Sequence, residues 1–232
     1  MFRSFFLMFS LLLPIAASAA DDRVAVLYFD NQGNEQLEPL KVGLAQMLIT
    51  DLQGTPDVTV VERQRVQQIL DELELGHSGM VDKKTAAKVG KLLGAEWIVM
   101  GGYFELAGTL RIDARLVKVE TGEIVHAHGV NGTAPEFLSL EKRLANELKA
   151  HLAGNPSPEA KEGGASATRG GDANTALVQH DPEAVEAAVA YSEGLIFLDG
   201  KDKVRARESF EKAVASDDNL AAAKAELAAL DL

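Results

Sequence analysis

The chain contains no cysteine. That removes disulfides, thiolate metal sites and a thiol nucleophile whatever compartment the protein occupies, and it leaves no cysteine behind a leader to carry a lipid anchor. Basic residues are scarce beside acidic ones, 23 against 35, for a formal net charge of -12. A field of that sign repels phosphate backbones and anionic membrane faces, so nucleic acid is not an expected partner. Beyond the first twenty residues no apolar run approaches the roughly 20 residues that a spanning helix needs, and no integral membrane span is expected. Nucleotide-binding motifs are missing too. The loop Asp30 to Glu35 lies where an open parallel sheet often binds anions, but neither a G-x-x-x-x-G-K-[ST] nor a G-x-G-x-x-G pattern occurs, and Asp30 and Glu35 would repel phosphate. Ser78 follows His77 without a G-x-S-x-G elbow or an orienting carboxylate, so a hydrolase is not supported. No enzyme activity and no cofactor are expected.

At 232 residues and 47% hydrophobic, the chain can bury one sizeable core and a smaller appendage. Arg3, the apolar run Phe5 to Ile15 and the small residues Ala17-Ser18-Ala19-Ala20 read as a secretory signal peptide over residues 1–20. Cleavage leaves the remainder one charge more negative, and the expected location is the periplasm, as a soluble protein rather than a lipoprotein.

Val24 to Phe29 is almost continuously apolar and suits a strand covered on both faces. Leu40, Leu44, Met47, Leu48 and Leu52 fall at helical spacing until Gly54-Thr55-Pro56-Asp57 stops them. Val58, Val60 and Val61 make the next strand; Val66, Ile69, Leu70 and Leu73 the stripe of the next helix, ended by Gly76-His77-Ser78-Gly79. Asp82 is placed to cap a third helix that Gly94 stops. Trp97 to Phe104 is apolar again. Leu110, Ile112, Ala114 and Leu116 alternate with Arg111, Asp113 and Arg115, as in a half-solvated antiparallel strand, and Thr121-Gly122 turns into Ile124 to Val130. Leu138 to Leu152 closes this unit, residues 21–153, as a helix. Residues 154–180 are rich in Gly, Ala, Ser and Pro and cannot repay their ordering entropy, which makes them a flexible linker. Asp181-Pro182 then caps a helical unit over 181–232. The fold class is α/β, a mixed sheet flanked by helices, followed by a small all-α hairpin.

Two resemblances emerge from these segments. "VAVLYFDN", "VVERQRVQQILDELEL", "SGMVDKKTAAKVGKLLGAEWIVMGGYFE" and "ARLVKVETGEIV" resemble, in order from Val24 to Val130, the CsgG family of curli-transport proteins and its soluble periplasmic relatives. The resemblance implies an α/β envelope component without enzymatic chemistry. The curli channel of that family carries a lipid on cysteine and long inserted hairpins, whereas here only Leu106 to Thr109 joins Phe104 to Leu110. Gly194, Phe197, Ala206, Phe210 and Ala213 resemble one tetratricopeptide repeat, with Gly194 and Ala206 letting two helices approach while Phe197 and Phe210 fill the space between them. One repeat is too few to stand alone, so Leu220 to Leu230 caps it or the unit docks on another surface.

The remaining candidates are structural. Glu62 and Arg63, at the joint of strand and helix, are neighbours that would point to opposite faces of a strand. They are expected to fix how the strand enters the helix rather than to form an acid/base pair, Glu62 also suiting the positive end of the helix dipole. Gly90 and Gly94 are helix-packing positions. His126 and His128 share a strand face, the one metal-like arrangement in the sequence, and are expected as a solvent-facing edge pair rather than a metal site; His77, His151 and His180 fall in a loop, a helix end and the linker. Together these readings describe a non-catalytic periplasmic scaffold or adaptor in envelope assembly or secretion of surface structures. Its expected partners are other envelope proteins and a second copy of itself, with the linker letting two modules bind independently. The alternatives are an oligomeric outer-membrane secretion channel and a protein that binds metal through His126 and His128.

Overall fold

A computed structural model describes residues 22–75, 82–154 and 183–231. The expected leader, His77, His180, nearly all of the linker and the Asp181-Pro182 cap lie outside them. Val24 to Phe29 keep at most 1% of their surface exposed. They begin as strand β1 (Asp22–Val26) and lead into a two-residue strand β2 (Asp30–Asn31). The chain then runs through α1 (Leu40–Leu52), β3 (Val58–Val60), α2 (Arg63–Glu72) and α3 (Lys83–Leu93). Three ten-residue strands follow, β4 (Trp97–Leu106), β5 (Thr109–Lys118) and β6 (Ile124–Thr133), then α4 (Phe137–Leu152). The helices α5 (Ala184–Asp199), α6 (Lys203–Ser216) and α7 (Ala221–Leu230) complete the described chain.

All described strands lie in one mixed sheet of order β3-β1-β4-β5-β6, with β2 beside β4. β1 pairs in parallel with β3 and β4, while β4, β5 and β6 are antiparallel. Ala107 and Gly108, with φ of 50° and 79°, make the two-residue turn between β4 and β5, the backbone form that matches strand twist. Helix α3 shows how local chemistry sets an element's limits. Asp82 accepts a hydrogen bond from the Thr85 N–H at 2.7 Å, which holds its carboxyl below the usual range, and Gly94 ends the helix at φ 64°.

The two faces of the sheet are covered differently. On one, Gly90 of α3 sits so close that a Cβ there would come within 2.5 Å of Val119 and 3.1 Å of Ile98. On the other, α1 and α4 lie side by side, with Tyr103 Oη donating to the Leu37 carbonyl at 2.7 Å just ahead of α1. Alternation along β5 follows from this: Leu110, Ile112, Ala114 and Leu116 point under α4 and are buried, whereas Arg111, Asp113 and Arg115 are half-buried or exposed.

Helix α1 is apolar nearly all round. Besides the stripe of Leu40, Leu44, Met47, Leu48 and Leu52, the residues Val42, Gly43, Ala45 and Ile49 are buried, the mark of a helix covered on two sides. The second cover is α5, whose Ala184, Ala187, Ala188, Ala190 and Ser192 are buried in turn. α6 packs on α5, and α7 on α6. The helical unit is thus docked on the α/β layer through α5 and closed by α7 on its far side.

The tightest point of that docking is Gly43, where a Cβ would fall 1.9 Å from Ser192 Oγ and 3.0 Å from its Cβ. Gly43→Ala is expected to lower stability by about 1–3 kcal/mol, the usual cost of overpacking. Urea unfolding followed by circular dichroism measures it, and an unchanged midpoint would mean that α5 does not rest on α1 here.

Candidate functional site

The strand β3 ends at Val60, so Glu62 and Arg63 stand at the start of α2 rather than on a strand, and they take different roles. Glu62 occupies the N-cap position, exposed and with no side-chain capping bond. Arg63, the first helical residue, turns inward and is only 2% exposed. Its Nη1 and Nη2 form a two-point ion pair with the Asp199 carboxylate at the end of α5, the Nη2 bond measuring 3.0 Å, and its Nε donates to Gln46 Oε1 of α1 at 3.0 Å. One guanidinium therefore ties α1, α2 and α5 together. Burial works against its charge, but Asp199 more than compensates and holds it above its ordinary pKa. Burial likewise pushes the Tyr28 hydroxyl up to about 12 and raises Glu226, both within the influence of Arg63.

Within the helical unit, Gly194 faces Phe210 so closely that a Cβ would lie 2.4 Å from the ring. Phe210, Ala206 and Ala213 are fully buried, and Tyr191 meets Phe210 with ring centroids 5.9 Å apart. Phe197 does not fill the space between the helices; it lies half-buried at the rim, with the Arg205 guanidinium 4.4 Å above its ring. Gly90 lies against Val119 and Ile98, whereas Gly94 acts through its left-handed backbone, a Cβ there meeting only Arg23 Nη1, at 3.6 Å.

His126 and His128 are not the solvent-facing pair expected. β6 is an edge strand, yet the face carrying both rings is the one under α4, and His126 is 7% exposed. α4 brings Glu147 and His151 against them. His126 stacks on His151 with centroids 4.6 Å apart and on His128 at 6.3 Å. The ligand atoms of His126, His128 and Glu147 lie within 4.8 Å of one another. Burial, then the neighbouring rings, lowers His126, and burial lowers His151, which favours the neutral form of both.

Two further features lie on α4. Glu141 is 1% exposed, and burial, reinforced by Asp51 of α1, pushes its carboxyl up to about 8 despite Lys142 and Lys149. It sits on the apolar side of the helix, four residues after Phe137 and three before Leu144, a spacing that marks the buried face. An open recess of about 280 Å³ between the end of α1 and the last turn of α4 is lined by Gln53, Gly54, Thr55, Pro56, Lys149, Ala150 and Ala153. A single lysine among those side chains offers no acid/base pair.

Residues 12–106 match the family model of the curli production assembly/transport component CsgG. The match ends with β4, so β5, β6 and all of α4 to α7 lie beyond it. The sequence matches no curated relative. Among solved structures, the LpoB C-terminal domain from Escherichia coli is 18% identical over 50% of this chain and 86% of that one, at a TM-score of 0.41. Lipoprotein GNA1162 from Neisseria meningitidis is 13% identical over 54% and 95%, at 0.43. A PelC dodecamer subunit from Paraburkholderia phytofirmans is 16% identical over 59% and 92%, at 0.35. These are loose likenesses.

Arg63→Ala strands Asp199 without its partner and is expected to cost about 3–5 kcal/mol, as is Asp199→Ala, with strong non-additivity in the double variant. Urea titration followed by the single Trp97 reads all three. Glu141 gives a pH signature. Its folded pKa near 8 lies above the unfolded value of about 4.3. Between those values the folded state holds a proton that the unfolded state has released, so its contribution falls as pH rises through that window. Glu141→Gln is expected to gain on the wild type between pH 5 and pH 8, and parallel unfolding curves at both values would refute this.

Proposed function

We propose that this chain is a non-catalytic adaptor of the cell envelope, a CsgG-family α/β layer that carries a helical unit as a rigid extension and joins envelope proteins during assembly or secretion of surface structures. The observation that carries this reading is the Arg63–Asp199 clamp: residues 63 and 199 are held by a buried, two-point ion pair, so the sheet and the helices form one body. Sequence reading favoured two modules acting separately through a linker. Docking replaces that mechanism with one in which two surfaces meet a partner at a fixed spacing, which lowers the entropic cost of binding.

Two large apolar side chains on this body stand exposed. Leu106, 70% exposed, projects at the turn between β4 and β5, and Val204, 69% exposed, projects from the first turn of α6. Past α3, the sheet face opposite α1 and α4 is polar, with Arg111 bonded to Asp113 at 2.8 and 2.6 Å and to Asn131 at 3.0 Å. No described helix is long and apolar enough to cross a membrane. The location proposed is the periplasm, reached through the leader of residues 1–20, with a second copy among the candidate partners. The C-terminal helices are read as a TPR-like unit.

Photo-crosslinking side chains placed at Leu106 and Val204 are expected to yield discrete adducts, to envelope proteins or to a second copy, from a chain that fractionates with the released periplasm. Absence of adducts at both positions together with monomeric light scattering would overturn the adaptor reading. An oligomer recovered with the outer membrane would favour the secretion channel instead.

A further inference from the structure

The histidine cluster at the sheet edge plays no part in the clamp, and packing alone does not account for it. Three of the chain's five histidines meet there. His126 and His128, two apart on β6, point to the same side, and Glu147 and His151, one turn apart on α4, meet them from above. His126 Nε2 and His151 Nδ1 are buried with no hydrogen-bond partner. Leaving a buried polar atom unsatisfied costs about 1–3 kcal/mol, and an apolar side chain at either position would avoid it. An occupant that takes a lone pair removes that penalty.

We propose that His126, His128 and Glu147 form a binding site for a divalent transition metal of the zinc class, which pins the edge strand β6 to α4. The donor chemistry selects that class: two imidazoles and a carboxylate, without thiolate, suit Zn²⁺ and its neighbours, whereas Ca²⁺ and Mg²⁺ call for sets dominated by oxygen. Bonds of about 2.0–2.2 Å put tetrahedral ligand atoms about 3.4 Å apart, so donors already within 4.8 Å need only small side-chain rotations to close on an ion. Three protein ligands leave a fourth position for water. His151, stacked over the His126 ring, holds that ring in place and acts as a positioning residue. The site also lies where the edge needs support, since the β5–β6 register slips between Leu116 and Val117, opposite Ile124 to His126.

The test uses the chain from residue 21 to 232, stripped with a chelator and titrated with Zn²⁺ under excess Mg²⁺, which occupies the many surface carboxylates. Calorimetry is expected to show one saturable site of micromolar or tighter affinity, with a melting temperature that rises by several degrees at saturation. Nitrogen shifts of the His126 and His128 rings are expected to move on binding. His128→Asn and Glu147→Gln are each expected to weaken binding at least about tenfold. Both side chains are only half-buried, so these variants carry the test even if His126→Asn fails to fold. No saturable binding, or binding that both variants leave unchanged, would overturn the proposal.

Discussion

Arg63 carries a full positive charge into a place where water barely reaches it, and the arrangement of the C-terminal half follows from that fact. A buried guanidinium needs a partner, and the partner is Asp199 at the end of α5, 136 residues away along the chain. An ion pair of this kind need not add stability over a well-packed apolar substitute. What it contributes is geometry: the fork of two nitrogens on two oxygens sets how far α5 slides along α1 and how it is turned. The bond from Nε to Gln46 adds α1 to the same junction. Once α5 is so placed, Gly43 and Ser192 are brought into contact, α1 is buried on both sides, and α6 and α7 close the outer side.

This constraint changes what the proposed adaptor role would require. Two modules on a long linker bind with an effective concentration set by the linker, whereas two surfaces on one body must match the spacing of their targets. The family match stops at residue 106, within the α/β layer. The elements beyond it hold Asp199, the histidine cluster and Glu141, so these features lie outside the matched segment.

Much of the α/β layer was legible before any coordinates because its signals are local. Asp82 and Gly94 bound α3 through capping and backbone handedness, which depend only on neighbours in sequence. Leu110, Ile112, Ala114 and Leu116 alternate because a strand alternates its faces. The docking was half legible: Val42, Ala45 and Ile49 in α1 and the alanines of α5 record second apolar faces, but a stripe does not say which other stripe covers it. Arg63 was hidden by its type, since arginine at a helix start usually faces water. Phe197 and Phe210 looked equivalent by spacing, yet only Phe210 sits against Gly194, while Arg205 covers Phe197 at the rim.

The sequence by itself determined most of the elements, the limits of α3, the mixed α/β class and the absence of thiol chemistry, because each rests on periodicity, capping or composition within short windows. Tertiary structure alone decided that His126 lies under α4 instead of facing solvent, that Glu141 keeps its proton near neutrality, and that Arg63 and Asp199 meet. Each of those outcomes depends on how much water reaches a side chain, and that is set by whichever distant segment folds over it.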